Sequence, residues 1–96
     1  MKTYFVYILK CSDDSYYTGF TSNLNQRIFE HSAGKHINSY TYFRRPVHLV
    51  FYCEFTHASF AIDKEKQIKK WSRAKKEALI DGKFEELPNL AKKKFK

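Results

Sequence analysis

Residues 4–11 (YFVYILKC) are apolar on both alternating faces of an extended chain. A strand with one face in water would alternate apolar and polar residues, so this run predicts a central strand that is covered on both sides. The chain has 96 residues, the size of one small domain, and 43% of them are hydrophobic, as in ordinary globular domains. The run therefore predicts a single domain built around a buried strand and argues against a disordered chain.

The remaining residues predict two more strands and three helices. Strands are expected over 16–20, as the second arm of a hairpin, and over 47–55, where polarity alternates. The order ββαβαα predicts a small α/β (α+β) fold with a three-stranded sheet and helices against it. The helices are expected over about 24–33, 57–71 and 73–81.

Capping residues mark the ends of these helices. Asn23 and Ser72 are favourable N-caps because their side chains can accept hydrogen bonds from the first turn. Gly34 and Gly82 are favourable C-terminal stops because glycine adopts the left-handed conformation that ends a helix. The caps support the helix boundaries independently of the hydrophobic pattern.

Positive charge is concentrated in the C-terminal part. The net charge is +8, and residues 60–96 hold 12 Lys and Arg against 6 Asp and Glu. A basic field favours polyanions, with nucleic acid ahead of acidic membranes and acidic proteins. Residues 83–96 have few apolar anchors, and we expect a partly disordered basic tail beyond a domain of residues 1–82. The candidates for sequence-independent phosphate contacts are Arg44, Arg45, Lys69, Lys70 and Arg73.

The N-terminus and the cysteines indicate a cytoplasmic protein. The initial apolar run is short, holds two tyrosines and ends in a polar segment, unlike a signal peptide. Cys11 and Cys53 are far apart and form no CxxC pair, so we expect reduced, structural thiols. A four-ligand zinc site has no support in the sequence.

The first predicted helix carries two polar side chains on its apolar stripe. Leu24, Arg27, Ile28 and His31 follow the i, i+3, i+4, i+7 spacing of one buried helix face. Arg27 and His31 are neighbours on that face. Two interpretations remain: both side chains lie at the edge of the stripe and extend to water, or both take part in a site.

The second predicted helix carries one carboxylate, Glu65, in the middle of an apolar stripe, and its lysines are expected mostly elsewhere on the wheel. An inward carboxylate needs a cation, a hydrogen bond or a metal. Glu65 is therefore either part of a structural ion pair, for instance with Arg27, or a ligand for a hard cation such as Mg²⁺. The stripe consists of Ala58, Ala61 or Ile62, Ile68 and Trp71.

Two tyrosines of the first hairpin, Tyr7 and Tyr17, are candidates for a site, with core packing as the alternative. Tyr17 precedes Thr18-Gly19, and the glycine removes bulk beside the phenol, as the approach of a phosphate would require. Residues 42–45 (YFRR) add aromatic and cationic groups that suit nucleic acid, unless they form a solvated edge.

Two phenols, a guanidinium, an imidazole and one carboxylate form a set suited to phosphodiester hydrolysis. An arginine offers a fork of donors to phosphate oxygens. A carboxylate can hold a metal that polarises the phosphate and stabilises the leaving oxygen. A phenol whose pKa is lowered by nearby positive charge can take a proton from water.

These residues occur in an order that resembles the GIY-YIG nuclease superfamily. Phe5-Val6-Tyr7 and Tyr17-Thr18-Gly19 occupy its two tyrosine motifs, and the further matching positions are Asn23-Leu24, Arg27, His31 and Glu65 in KEKQIKKWSR. The resemblance covers roughly residues 3–82 and is closest to the small stand-alone bacterial members of the UPF0213 type. The chain departs from the family pattern with Phe5 for the first glycine, Thr18 for isoleucine or valine, and Ser32 for an asparagine frequent in close relatives.

The resemblance implies a three-stranded antiparallel sheet flanked by helices, and metal-dependent cutting of DNA. It implies that Tyr7 and Tyr17 place or deprotonate the attacking water and that Arg27 binds the scissile phosphate. Glu65 would be the single protein ligand of Mg²⁺ or Mn²⁺. His31 resembles the histidine of the branch with eukaryotic structure-selective nucleases, where it assists proton transfer or positions the phosphate.

We therefore expect a metal-dependent DNA endonuclease with a role in DNA repair or recombination. Its expected partners are DNA, including branched or structured DNA, and a protein that supplies DNA specificity, without a membrane. The first alternative is a module on the same fold that binds nucleic acid and does not cut it. The second is a protein-interaction adaptor that uses the basic C-terminal helices.

Overall fold

The apolar run of the sequence forms the central strand of a three-stranded antiparallel sheet. The structure, a computed structural model, describes residues 2–82, so the expected basic tail over 83–96 lies outside the described residues. The elements follow the expected order, with one 3-10 turn at Tyr42–Arg44, and their bounds are β1 (Tyr4–Lys10), β2 (Tyr16–Thr21), α1 (Leu24–Ala33), β3 (His48–Phe55), α2 (Ala58–Lys69) and α3 (Arg73–Ile80).

Alternation along β1 explains why both of its faces are apolar. Val6 and Ile8 point to one side, where they pack against residues of α2 and α3 such as Ile68 and Leu79. Tyr7 and Leu9 point to the other side, which is covered by Leu24 and Ile28 of α1. Each large apolar side chain buried in this way contributes about 1.5–3 kcal/mol. The expected central strand, covered on both sides, is confirmed.

The strand register places the two candidate tyrosines on one face of the sheet. The sheet order is β2-β1-β3, and both strand pairs are antiparallel. In the β1–β2 pair, Tyr7 lies opposite Gly19 and Leu9 lies opposite Tyr17. Directly opposite residues share a face of the sheet, and alternate residues along a strand do so too. Tyr7 and Tyr17 therefore both belong to the face covered by α1.

The predicted caps are present at the helix ends. The Asn23 side chain accepts from the backbone of Gln26, and Gly34 ends α1 in the left-handed conformation with φ +68°. Ser72 accepts from the backbone of Lys75 at the start of α3. Because Ser72 is extended in this role, the preceding helix cannot continue into it, and α2 is shorter than expected from the apolar pattern.

One lysine of α2 lies where the sequence analysis did not place it. The buried residues of this helix are Ala61, Lys64 and Ile68, and Lys64 is only 3% exposed. Its ammonium donates to the side-chain oxygen of Gln67 at 3.1 Å. The long alkyl stem of a lysine can cover apolar surface while its head group is hydrogen-bonded, so this position tolerates the charge. The other lysines of α2 are exposed, as expected.

Cys11 and Cys53 are free thiols on opposite faces of the sheet. Cys11 belongs to the core on the α1 side, and Cys53 packs on the α2 side. Burial raises the pKa of Cys53 to about 12 and also raises the pKa of Cys11, so both thiols are unreactive. Within residues 2–82, no helix has the length and apolar character needed to cross a membrane.

Candidate active site

Tyr7 lies at the base of the candidate site, and Gly19 makes room for it. Tyr7 is fully buried in the centre of β1, and Gly19 faces it from the neighbouring strand. A Cβ atom at position 19 would overlap the ring carbons and the phenol oxygen of Tyr7. Gly19 is therefore required by the tyrosine ring. The sequence analysis explained this glycine by the approach of a phosphate, whereas the structure explains it by the packing of the Tyr7 ring.

The phenol of Tyr7 begins a chain of buried hydrogen bonds. Its oxygen is 3.0 Å from Nε2 of His31, on the last turn of α1. The other ring nitrogen of His31, Nδ1, is 2.7 Å from the hydroxyl of Thr41, which in turn is 3.1 Å from that of Ser39. Because His31 and Thr41 are both buried, these contacts hold the imidazole in one orientation. His31 therefore belongs to the site and does not extend to water.

Burial controls the protonation of this pair. It lowers the pKa of His31, and the positive charge of Arg27 lowers it further. Burial also raises the pKa of Tyr7 well above its ordinary value, and this effect outweighs the opposing influence of Arg27. At neutral pH the pair is a neutral phenol beside a neutral imidazole. The sequence analysis left open which phenol has a pKa lowered by nearby positive charge; in Tyr7 the desolvation of a phenolate dominates and its pKa is raised.

Tyr17 closes the cluster on the side of β2. Its ring centroid is 5.2 Å from that of His31 and 6.3 Å from that of Tyr7. The ring is also stacked on Tyr40 at 5.9 Å with an interplanar angle of 22°. Tyr7 is fully enclosed, whereas Tyr17 retains partial exposure. Of the two motif tyrosines, Tyr17 is thus the one that reaches solvent.

Arg27 lies one turn before His31 on α1, at the rim of the site. Its guanidinium is close enough to Tyr7 and His31 to lower the pKa of both. It also forms an ion pair with Glu30 at 3.4 Å, and its side chain remains 41% exposed. Arg27 and Glu30 line a shallow polar depression at the start of α1, together with Thr21, Ser22, Asn23 and Gln26. A guanidinium in this position can reach an anion from solvent while staying beside the phenol.

Glu65 reaches the same cluster from α2. Its negative charge contributes to the raised pKa of Tyr7, after burial and the charge of Tyr17. Its ion pair is with Lys69, one turn along the helix, at 2.9 Å. The Lys69 ammonium also lies 6.0 Å from the ring centroid of Tyr17. The sequence left open an ion pair between Glu65 and Arg27. The structure does not adopt it, since Arg27 pairs with Glu30.

The donor set around Glu65 suits one kind of metal. Among residues 2–82, no group of three or more His, Cys, Asp or Glu side chains could hold a metal ion. A protein cage for zinc or calcium is therefore not formed by the described residues. Mg²⁺ commonly binds through one or two carboxylates and keeps several waters. A single carboxylate, 16% exposed at the mouth of the cluster, fits that mode.

Most of the basic residues expected to contact phosphates are already engaged in the protein. Arg44 forms an ion pair with Asp13 at 3.1 Å and lies over the ring of Tyr40 at 3.9 Å. The Arg45 guanidinium lies over Tyr42 at 4.7 Å. The remaining contacts join Lys69 to Glu65 and Arg73 to Glu77, and Lys70 is exposed at the end of α2. The contacts define the positions of these groups. Because the groups are at least partly exposed, their charges still face solvent.

Sequence reasoning missed Thr41 and Tyr40. Both belong to the irregular segment between α1 and β3, where no helical or strand periodicity indicates which side chains turn inward. Thr41 is fully buried and orients His31, while Tyr40 stacks on Tyr17. The aromatic and polar composition of the segment was visible in the sequence. The identity of the inward residues depends on the backbone path, which composition alone does not give.

The chain is similar to proteins of known sequence and structure over most of its length. The GIY-YIG catalytic domain family matches residues 3–78. A UPF0213 protein of Syntrophus aciditrophicus is 48% identical over 80 residues, which cover 83% of this chain and 92% of that protein. A UPF0213 protein of Natronomonas pharaonis is 46% identical over 77 residues, 80% of this chain and 89% of that protein.

Solved structures agree with these sequence matches. The solution NMR structure of a UPF0213 protein from Bacillus halodurans is 38% identical, with a TM-score of 0.55, and covers 93% of this chain and 97% of that one. The NMR structure of the protein EF2693 from E. faecalis is 33% identical, with a TM-score of 0.60, and covers 85% and 86%. The resemblance seen in the motifs is thereby confirmed. With its nuclease-type fold and its UPF0213 relatives, the chain belongs to the GIY-YIG domain family.

Proposed function

We propose that this protein is a DNA endonuclease that hydrolyses phosphodiester bonds with a divalent cation, Mg²⁺ or Mn²⁺, bound at Glu65. The observation that carries the proposal is the 3.0 Å contact between the Tyr7 phenol and Nε2 of His31, with the charges of Arg27 and Glu65 both acting on the pKa of that phenol. A neutral acceptor, a guanidinium and a carboxylate around one point are the groups that hydrolysis of a phosphodiester requires.

The two tyrosines divide the work by their exposure. Tyr17 reaches solvent, so it is the phenol that contacts the attacking water. Tyr7 lies beneath it and is hydrogen-bonded to Nε2 of His31, which fixes the imidazole, while burial and Arg27 lower the pKa of His31. Because Tyr7 has no exposed surface, it acts through His31 and Tyr17 as a positioning residue. In this role the Tyr17 oxygen, as phenolate, accepts the proton that the attacking water loses and becomes a neutral phenol; the Lys69 ammonium lies 6.0 Å from its ring centroid.

Arg27 and Glu65 have different roles toward the phosphate. The Arg27 guanidinium donates to the non-bridging oxygens. Its partly exposed ion pair with Glu30 contributes about 1 kcal/mol or less and does not prevent the guanidinium from turning toward the phosphate. Glu65 holds the cation, which supplies positive charge at the phosphate and the leaving oxygen. The Lys69 ammonium yields its place at Glu65 when the cation binds.

The remaining expectations extend this proposal. Arg44, Arg45, Lys69, Lys70 and Arg73 contact the phosphates of the bound strand, and a protein partner supplies specificity for a particular DNA. The cellular setting is DNA repair or recombination in the cytoplasm.

A nicking assay with Mg²⁺ on duplex, branched and single-stranded DNA, with an RNA of the same sequence alongside, tests the proposal. We expect cleavage by the wild type and its loss by at least about 100-fold in Glu65→Gln. The unfolding free energy of this variant should stay within about 1 kcal/mol of the wild type, because the Lys69 ammonium left without its partner is half-exposed and stays hydrated. Glu54→Gln, on the exposed face of β3, is the matched control and should cut normally.

The same assay separates the alternatives. Salt-dependent DNA binding without any cleavage by the wild type would indicate a binding module. Absence of both cleavage and DNA binding would overturn the proposal in favour of a protein-interaction adaptor.

A further inference from the structure

The 3-10 turn at Tyr42–Arg44 displays the most exposed large apolar side chain among the described residues. Phe43 is 82% exposed, and its ring meets that of Tyr42 in an edge-to-face arrangement, at a centroid distance of 4.7 Å and an interplanar angle of 84°. A single exposed apolar side chain is common at a protein surface. What distinguishes Phe43 is its rigid support, its cationic neighbours and its position beside the candidate site.

The backbone on both sides of Phe43 is held in place. The N–H of Tyr42 donates to Ser39, and that of Arg44 donates to Thr41 at 3.0 Å. The carbonyl of Arg44 accepts from the backbone of Ser12, which ties the turn to the β1–β2 loop. Thr41 is itself fully buried. Phe43 is thus presented on a fixed turn, and a ligand that stacks on it would lose little chain entropy on binding.

Two arginines follow Phe43 in the chain. The Arg44 guanidinium lies over Tyr40, and that of Arg45 lies over Tyr42. An exposed aromatic side chain with cations on the same surface is the combination that proteins use for single-stranded nucleic acid, in which bases stack on the ring and phosphates meet the charges. Stacking does not depend on base identity because every base has a π face.

The platform lies close to the proposed scissile phosphate. Phe43 is two residues from Thr41, so their Cα atoms are at most about 7.6 Å apart. Thr41 in turn bonds His31, which bonds Tyr7. At the surface, Tyr40 stacks on Tyr17 at 5.9 Å and the Arg44 guanidinium lies 3.9 Å from the Tyr40 ring centroid, so a strand held at Tyr17 is within reach of the turn. In an intact duplex the bases at that distance are stacked on each other and offer no free face to a protruding ring.

We propose that Phe43 is a stacking platform for an unpaired base next to the scissile phosphate. The preferred substrate is then a nucleic acid with an unpaired nucleotide at the cut site, such as a bulge, a strand end or a single strand, with Arg44 and Arg45 on the flanking phosphates. This inference rests on the proposed function and adds a residue and a substrate feature to it.

Binding measurements in EDTA test the inference without cleavage. A duplex, the same duplex with one unpaired 2-aminopurine, and the single strand are titrated with the wild type, Phe43→Ala and Phe43→Trp. We expect tighter binding of the two DNAs with unpaired bases and quenching of 2-aminopurine on binding. Phe43→Ala should lose about 5- to 150-fold in affinity for these two DNAs, as for one base–aromatic stack, and Phe43→Trp should retain it.

Controls keep the outcomes distinct. Phe60→Ala removes a ring that is 61% exposed on α2 and should change neither affinity nor quenching. Equal binding of all three DNAs by the wild type and Phe43→Ala would overturn the platform even if the enzyme cuts. A loss confined to unpaired DNA would uphold the platform even if no cleavage is found, so the two proposals fail separately.

Discussion

The Nδ1 atom of His31 lies 2.7 Å from the hydroxyl oxygen of Thr41, and this contact joins the end of α1 to the segment before β3. Tyr7 bonds the other side of the same imidazole. One buried ring thus connects the central strand, a helix and an irregular segment. The site and the fold share this connection, so perturbing it affects both stability and the orientation of the imidazole.

Thr41→Val tests that connection. Valine has nearly the shape of threonine, so the variant removes the hydroxyl and leaves Nδ1 of a buried imidazole without this partner. We expect a loss of about 1–3 kcal/mol in the free energy of unfolding, measured with urea, together with reduced cleavage. Thr41→Ser keeps a hydroxyl and should recover most of both. Equal behaviour of the valine and serine variants would show that the hydroxyl does not hold His31.

The buried imidazole also predicts how stability responds to pH. Burial, aided by Arg27, lowers the pKa of His31 below its ordinary value of about 6.5. The unfolded chain then binds more protons than the folded one as the pH falls through that value. The stabilisation is fully present above about pH 6.5 and is lost as the pH falls toward the pKa in the folded protein.

Urea titrations at several pH values between about 7.5 and 5 measure this effect. We expect the free energy of unfolding to decrease on acidification and expect His31→Gln to show a flatter decrease than the wild type. The slope is compared, so a uniform loss of stability in the variant does not matter. His48→Gln, at an exposed position of β3, should keep the wild-type slope. An unchanged slope in His31→Gln would assign the pH dependence to other groups.

Two threonines of β2 form a matched pair for a second stability test. The hydroxyl of Thr18 is buried, and no hydrogen-bond partner for it is found within residues 2–82. The hydroxyl of Thr21 accepts from the backbone of Asn23 at 3.0 Å. A buried hydroxyl without a partner is destabilising, whereas a bonded one contributes about 0.5–1.5 kcal/mol.

Thr18→Val should therefore raise the free energy of unfolding by about 1 kcal/mol, and Thr21→Val should lower it by a similar amount. Thermal and urea unfolding of the two variants under identical conditions provide the comparison. Destabilisation of both variants to the same extent would mean that the Thr18 hydroxyl is bonded in solution.

We expect Lys69 to compete with the proposed cation for Glu65. Its ammonium lies 2.9 Å from the carboxylate, where a bound cation would also place its charge. We expect Lys69→Met to bind Mg²⁺ or Mn²⁺ several-fold more tightly than the wild type, measured by calorimetry or by Mn²⁺ paramagnetic resonance. Lys70→Met removes the neighbouring exposed charge and should have a smaller effect. If Lys69→Met leaves cation affinity unchanged, the cation does not bind at Glu65.

The fold was predictable because it depends on local signals that agree with one another. The doubly apolar strand requires layers on both faces, and the caps Asn23, Gly34 and Ser72 mark helix ends through hydrogen bonds between near neighbours in the chain. The end of α2 was less predictable because the apolar pattern continues to Trp71, while Ser72 must be extended to cap α3.

The sequence names candidate residues for the site but does not give their arrangement. Arg27, His31 and Glu65 were found because polar groups interrupt apolar stripes, which is a one-dimensional signal. The contact of His31 with Thr41 and the burial that raises the pKa of Tyr7 arise from segments far apart in sequence. The burial of Lys64 could not be predicted either, because it depends on the neighbours that its alkyl stem meets.

The close approach of Gly19 to Tyr7 has a consequence for how such sequences can vary. The two residues lie opposite each other on β1 and β2, and the ring of one occupies the space where a side chain of the other would begin. Positions 7 and 19 therefore share one volume, which can be filled from either strand but not from both. Any variant with a side chain at 19 has to replace the tyrosine with something smaller, so exchange at one position is tied to exchange at the other.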